Sequence, residues 1–577
     1  MKKNWLVLPK APVEFIEQLT DVSPVVAQLL FNRGLITQEQ IEIFLEPEIH
    51  SKIYDPLMFR NMEAALTLTI DHIKKGSKIV ICGDYDADGV TSSAIMTEIL
   101  RTLKANVDVW IPSRFGEGYG LNKKIISELQ EGDVKLIITV DNGIRAKEEI
   151  AYAKTLGIDV IVTDHHSGPA SLDDLPDCLI INPILKEESY PFKYLCGAGV
   201  AYKFASALIH SSTLPIESKQ ELISRIIDLA AIGTISDCVS LLGENRLIAK
   251  EGLEKINAKP RLGLVELMKV ANLTPGEISE WNISWQITPR LNVAGRLGTA
   301  TSAYELLISS SVEEARVLAE ELNEKNSARQ KITEEIVNAA AEQIIKSQMN
   351  EKLLVALSPD LRGEAGEWSE GVIGLVAGRL VERFSKPCFV ISYSEGKVKG
   401  SGRSIEQYDL GASLEIGKEY LERYGGHKMA CGFTVKSKED LEPFINSVRQ
   451  AANEKLELED LSPILRLDVE LTLNEVTENL LEQFEKFIPY GQDNPEPKFL
   501  SKNIMIEDSM IMGLDKRHIK FRLGGLWGVA FGKAEEYKEY QIGQHIDIAY
   551  TVGFNVFNNR RDVQLKIIDV RPSQFSN

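Results

Sequence analysis

Residues 78–93 read KIVICGDYDADGVTSS, a short apolar run that gives way at once to three aspartates in alternation, Asp84, Asp86 and Asp88, and then a glycine. The run 78–82 has the length and β-branched content of a buried strand. Carboxylates packed so closely past a strand end repel one another and raise each other's pKa values. A hard divalent cation with oxygen ligands removes that cost. A polar turn held by aspartate–amide hydrogen bonds is the plainer reading of a single Asp-x-Asp pair, but a third aspartate in step favours a metal site.

The flanking sequence alternates strand and helix patterns, with strands at 78–82, 107–111, 136–140 and 158–163 and helices after residues 91, 121 and 145. That alternation predicts a parallel α/β sheet, in which ligands gather outside the carboxyl ends of the strands. Two further strands end in ligand-type residues. LIITV runs into Asp141, Asn142 and Gly143, and DVIVT into Asp164, His165 and His166. Carboxylates suit magnesium or manganese and imidazole suits transition metals, so the mixed set points to manganese. Asp237 interrupts the apolar stretch DLAAIGTISDCVSL (228–241). A charge buried there without a partner would be costly, which makes it a further candidate ligand.

GDYDADG (83–89), TVDNG (139–143), TDHH (163–166) and GTISD (233–237) resemble, in order and spacing, the four motifs of the DHH phosphoesterase superfamily. Within it the chain is most similar to the branch of 5′-to-3′ single-strand-specific DNA exonucleases, over most of its length. The resemblance implies two metal ions, Mn2+ or Mg2+, bridged by Asp141. Asp84 and Asp86 would serve one ion, which of the two ligates directly being left open, and Asp88, His165 and Asp237 would serve the other. Asp164 and His166 would support the ligands and the scissile phosphate. It also implies stepwise release of 5′-mononucleotides in DNA recombination and repair, with a single-stranded-DNA-binding protein and a RecQ-type helicase as partners of a monomer.

The chain has 577 residues, 44% of them hydrophobic, enough for several buried cores. No segment supplies the roughly 18 uninterrupted apolar residues of a membrane span, so a cytoplasmic protein is expected. Six cysteines without a Cys-x-x-Cys pair argue against a disulfide framework or a thiolate zinc site. A net charge of −19 argues against indiscriminate binding to polyanions, so single-stranded DNA must be met by local basic patches and bound metal.

The expected domains are a helical leader (1–60), the catalytic domain (61–310), a connecting helix (311–350), a DHH-associated α/β lobe (351–458) and an OB-like β-barrel (459–577). TPRLNVAGRLG (288–298) reads as a loop offering Arg290, Asn292 and Arg296 to phosphate. Residues 311–348 lack Gly and Pro and read as one long helix with a polar middle. In the second lobe, GSGRSI (400–405) and GGHKMACGF (425–433) read as glycine-rich segments where backbone can approach phosphate. Arg379, Ser401, Arg403, Gly426 and His427 are the contacts expected there. In the barrel, Arg517, Lys520, Arg522, Arg560, Arg561 and Lys566 mix with Phe521, Trp527, Phe554 and Phe557, as in a groove that holds backbone and stacks bases. Other readings are a phosphodiesterase for short oligonucleotides or cyclic dinucleotides, a pyrophosphatase, and a non-catalytic replication scaffold.

Overall fold

The computed structural model describes residues 3–46, 53–112, 120–297, 300–394, 396–557 and 560–573. The chain forms two units, one mainly of residues 5–295, 299–320 and 466–577, the other mainly of 321–465.

In the first unit the leader opens not with a helix but with strand β1 (Asn4–Val7), before α1 (Pro24–Asn32) and α2 (Gln38–Leu45). Ser23 caps α1, and Thr37 caps α2 in a reciprocal box with Gln40. The apolar faces of these helices, including Val26, Leu30, Ile41 and Phe44, share one core with Phe484, Phe487, Phe499, Phe521 and Tyr550 from the far end of the chain. After β1, the Leu8 amide donates to the Leu467 carbonyl at 2.9 Å.

After α3 (Met62–Lys75) come β2 (Lys78–Cys82), α4 (Ala87–Thr102), β3 (Asn106–Trp110), α5 (Lys123–Glu131), β4 (Val134–Val140), α6 (Lys147–Thr155), β5 (Asp159–Thr163) and β6 (Leu179–Ile181). The strands form the expected parallel sheet in the order β3-β2-β4-β5-β6. Helices α7 (Gly197–Ser211), α8 (Ile216–Ser236), α9 (Gly243–Ala258) and α10 (Thr288–Leu297) follow. Residues 288–297, expected as a loop, are thus helical. A π-helical turn, Ile283–Ile287, leads into them, so the missing N–H of Pro289 falls where the α-helical ladder is already interrupted. Helix α11 (Val312–Ser347) is continuous, as its lack of Gly and Pro predicted.

In the second unit β7 (Leu354–Leu357), α12 (Glu370–Phe384), β8 (Cys388–Ser394), β9 (Lys397–Arg403), β10 (Leu421–His427) and β11 (Ala430–Val435) build a sheet ordered β10-β11-β9-β8-β7. The two glycine-rich segments lie in strand β9 and the β10–β11 hairpin. A Cβ on Gly400 would stand 2.1 Å from the Phe433 ring, and one on Gly402 would stand 2.6 Å from that of Phe389. These two glycines make room for core aromatics.

Back in the first unit, β12 (Ile464–Leu467), β13 (Val469–Glu470) and α13 (Glu478–Glu485) precede β14 (Phe499–Met512), β15 (His518–Leu523), β16 (Leu526–Ala530), β17 (His545–Phe557) and β18 (Arg560–Pro572). The order β13-β14-β15-β16-β18-β17, closed by pairing of β14 with β17, makes the expected barrel. A guanidinium from α9 ties leader and barrel together. Arg246 is fully buried and donates to the carbonyls of Phe44, Lys486, Phe487, Ile488 and Pro489 at 2.5–3.3 Å.

All six cysteines are free, and Cys82, Cys196, Cys388 and Cys431 are buried. No described helix is long and apolar enough to cross a membrane.

Candidate metal centre

The chain leaves β2 at Cys82 and enters α4 at Ala87, a turn earlier than the residue pattern placed the helix. The cause is Asp86, which caps the helix by accepting from the Asp88 and Gly89 amides at 3.0 and 3.1 Å. Asp88 therefore sits in the first helical turn. Its two oxygens accept from the Gly197 and Ala198 amides, at 2.7 and 2.8 Å, at the start of α7. A helix N-terminus favours an anion, so α7 fixes this carboxylate. Sequence reasoning missed that role, although CGAG at 196–199, small residues opening a helix, was its available signal.

Asp141 follows β4 with φ of 63°, a conformation that costs energy for a non-glycine residue. Its Oδ1 stands 3.1 Å from Nε2 of His165, which follows β5. The same imidazole nitrogen is 3.8 Å from Oδ2 of Asp88 and 3.7 Å from Oδ2 of Asp237, at the carboxyl end of α8. Two glycines permit this closeness. A Cβ on Gly197 would lie 2.5 Å from that of Asp141, and one on Gly233 would lie 2.3 Å from that of Ala198 and 2.7 Å from Asp88 Oδ1.

Three sets of ligand atoms lie within 4.8 Å of one another: Asp84, Asp86 and Asp141; Asp88, His165 and Asp237; and Asp141, His165 and His166. Asp84 Oδ1 and His165 Nε2 are buried without hydrogen-bond partners among the described residues. Buried polar atoms are costly when left so, and carboxylate oxygens beside one imidazole are a donor set for divalent manganese or magnesium. The residues fit such ions.

The electrostatics agree. Burial, then repulsion from Asp86, holds Asp84 well above the usual carboxylate range; burial with the charge of Asp88 does the same to Asp141 and raises Asp86. Burial and Asp88 push Asp237 up to about 9. Burial lowers His165. Burial also works against protonated His166, but the hydrogen bond and charge of Asp164 outweigh it and raise this imidazole to about 9. Asp164 itself accepts from the amides of Ile144, His165 and His166.

On α10, Asn292 Oδ1 accepts from the Ala87 amide at 2.6 Å and so braces the aspartate loop. A Cβ on Gly295 would meet the Tyr85 carbonyl at 2.6 Å. Arg290 is half-buried and donates to the Gln286 carbonyl at 2.7 Å, and Arg296 lies in the last turn. In the second unit, Arg379 is on α12, Ser401 and Arg403 are on β9, and Gly426 and His427 end β10. Arg403 Nη1 donates to the Gly402 carbonyl at 2.8 Å and lies 3.4 Å from Ser401 Oγ.

The barrel cations are largely paired: Arg517 with Asp515, Arg522 with Glu507, Arg561 with Glu485 and Lys566 with Glu496. Lys520 lies 4.2 Å over the Trp527 ring. Phe521 is fully buried and belongs to the core, so it is no stacking surface. The side chains of Arg560 and Phe557 lie outside the described residues.

Three family models match the chain: the DHH family N-terminal domain over residues 78–234, the DHHA1 domain over 350–454 and the RecJ OB domain over 467–569. The single-stranded-DNA-specific exonuclease RecJ of Bacillus subtilis is 38% identical over 100% of this chain and 71% of its own length. Its counterpart in Salmonella typhimurium is 31% identical over 99% of this chain and 100% of its own. The crystal structure of RecJ in complex with Mn2+ from Thermus thermophilus superimposes with a TM-score of 0.84 at 29% identity, covering 99% of this chain and 80% of that one.

Proposed function

The chain belongs to the RecJ family of single-stranded-DNA-specific exonucleases, and we propose that it hydrolyses the strand from its 5′ end, releasing 5′-mononucleotides in DNA recombination and repair. The observation that carries this reading is the convergence of three strand ends and one helix end on one set of buried and part-buried carboxylates with His165. The cofactors are divalent metal ions, manganese or magnesium. Asp84, Asp86 and Asp141 would hold one ion, and Asp88, His165, Asp237 and the shared Asp141 the other. Bound there, such a pair lowers the pKa of a water and offsets charge developing on the phosphate.

The chain's own residues prepare that chemistry. Asp86 and Asp88 are held by backbone amides before any ion arrives, so little ordering is left to be done on binding. His165, with its pKa lowered by burial, presents a neutral nitrogen. His166 is half-exposed and stays protonated through neutral pH because Asp164 grips its Nδ1, which leaves Nε2–H to donate to a phosphate oxygen or to the leaving oxygen.

Arg290, Arg296, Arg379, Arg403 and His427, with the backbone at Ser401 and Gly426, are the proposed phosphate contacts. Arg517, Lys520 and Arg560 are those of the barrel. A single-stranded-DNA-binding protein and a RecQ-type helicase are the proposed partners of a monomer acting in the cytoplasm.

The test is digestion of 5′-labelled, 3′-labelled, hairpin and dinucleotide substrates in Mn2+, beside an Asp141→Ala control. Immediate release of labelled mononucleotide from the 5′-labelled single strand, with the hairpin spared and the control inactive, is the expected result. Turnover confined to dinucleotides would replace the reading with a short-oligonucleotide phosphodiesterase, and absence of metal-dependent turnover with a scaffold.

A further inference from the structure

The first unit holds a groove of about 580 Å3 that the metal chemistry does not use. One wall is the helical turn Glu280–Asn282 and the π-helical turn Ile283–Ile287, carrying Trp281 and Trp285. The other is the barrel, with Gly553, Phe554 and Lys566. Trp281 is 57% exposed and Trp285 65%. An indole is among the largest apolar surfaces a side chain can bury, and two left open four residues apart at one groove mark a binding surface. π-Helical turns themselves recur at functional sites.

The two cations beside the groove each lie against a glutamate, which leaves the carboxyl of Glu280 over. Arg561 pairs with Glu485 and lies 3.5 Å from the Phe554 ring centroid, and Lys566 is 4.0 Å from Glu496. Apart from Glu280 the remaining lining is uncharged and mostly apolar, with Trp281, Trp285, Phe484, Tyr490 and Phe554 among it, which suits the faces of nucleobases and gives phosphates nothing to bind. Glu280 supplies the polar exception. Its Oε2 is buried without a hydrogen-bond partner among the described residues, so that oxygen is shielded from the groove.

The groove is also joined to the metal centre by one stretch of helix. Seven residues, roughly 10 Å of helix axis, separate Trp285 from Asn292, which holds the Ala87 amide of the aspartate loop. A strand with a phosphate at the metals thus has bases within reach of the indoles.

We propose that Trp281 and Trp285 form a stacking platform for bases of the substrate strand a few nucleotides from the scissile phosphate. The proposal rests on the single-stranded-DNA reading above. Every base has a π-face, so stacking tolerates any sequence, as an enzyme that must pass each nucleotide in turn requires. A proline-rich or cationic peptide is the competing occupant of such a groove.

Two measurements test it on the metal-loaded full chain. The first is affinity for a phosphorothioate-linked dT20 and for a 20-mer of the same backbone lacking bases, read by tryptophan fluorescence and anisotropy. Trp281→Ala/Trp285→Ala should weaken dT20 binding by roughly tenfold per lost stack and leave the base-free backbone unaffected. Trp281→Phe/Trp285→Phe should restore most of the affinity, and Leu514→Ala, at an exposed turn of the barrel, serves as control. The second is steady-state digestion of a 20-mer, in which KM should rise with kcat nearly unchanged. Equal dT20 affinities in wild type and the double alanine variant overturn the platform, as does quenching of the indoles by a proline-rich peptide but not by dT20. Failure of the wild type itself to bind or digest single strands would instead sink the underlying reading.

Discussion

The Asp164 carboxylate accepts a 2.8 Å hydrogen bond from Nδ1 of His166, two residues further on, and this contact sets the charge of the imidazole that faces solvent beside the candidate metal ligands. Protonated His166 persists up to about pH 9. A reaction that needs its proton should hold its rate through neutral pH and fall above about pH 9. Asp164→Asn removes the charge that raises the imidazole, so the falling limb should move down towards the ordinary value near ~6.5, with kcat lower by roughly 10–100-fold. A pH–rate profile of the two proteins decides it, and an unmoved limb would assign that limb to another group.

Metal and pH should be linked in stability. Asp84, Asp141 and Asp237 have pKa values raised in the folded chain, the last to about 9. The metal-free folded state therefore holds protons that the unfolded state releases, and its stability should fall as pH rises from the ordinary carboxylate range towards 9. Manganese competes for the same oxygens, so the rise in Tm on adding Mn2+ to EDTA-treated protein should be larger at pH 8 than at pH 6. A smaller rise at pH 8 would contradict a carboxylate metal site.

Gly197 should tolerate no side chain. Its substitution by alanine sets a methyl 2.5 Å from the Cβ of Asp141 and forces apart the loop and the start of α7. Overpacking of this kind costs about 1–3 kcal/mol, and because α7 also holds Asp88, manganese affinity should drop at least tenfold. Calorimetric titration beside a denaturation curve separates the two effects.

Arg246→Met should uncouple the barrel and leader from the catalytic domain. Five backbone carbonyls lose their donor inside the protein, at a cost on the order of 3–5 kcal/mol when each is worth about 1 kcal/mol. Limited proteolysis should release a barrel-containing fragment from the variant before any from the wild type.

The parallel sheet was legible because buried strands read as unbroken apolar runs, and the gathering of the candidate ligands was legible because like charges collected at strand ends admit few explanations. What stayed hidden depended on distant contacts. Asp88 owes its position to two amides more than a hundred residues away. That glycines at 400 and 402 leave space for Phe433 and Phe389 shows only once the sheet is folded. Pro289 and Gly295 hid a helix, since local propensity knows nothing of the π turn before one or of Tyr85 pressed against the other. Exposure of Trp281 and Trp285 could not be read at all, because periodicity gives an indole the same weight inside or outside.

The core shared by Val26–Phe44 and the barrel residues beyond Leu471 has a consequence for biosynthesis. The first helices off the ribosome wait through more than four hundred residues of translation for the strands that cover them. Loop closure over such a span is slow, and a nascent chain meanwhile carries an uncovered apolar face of the kind that recruits chaperones or aggregates. A message truncated before the barrel would therefore yield a chain damaged at both ends.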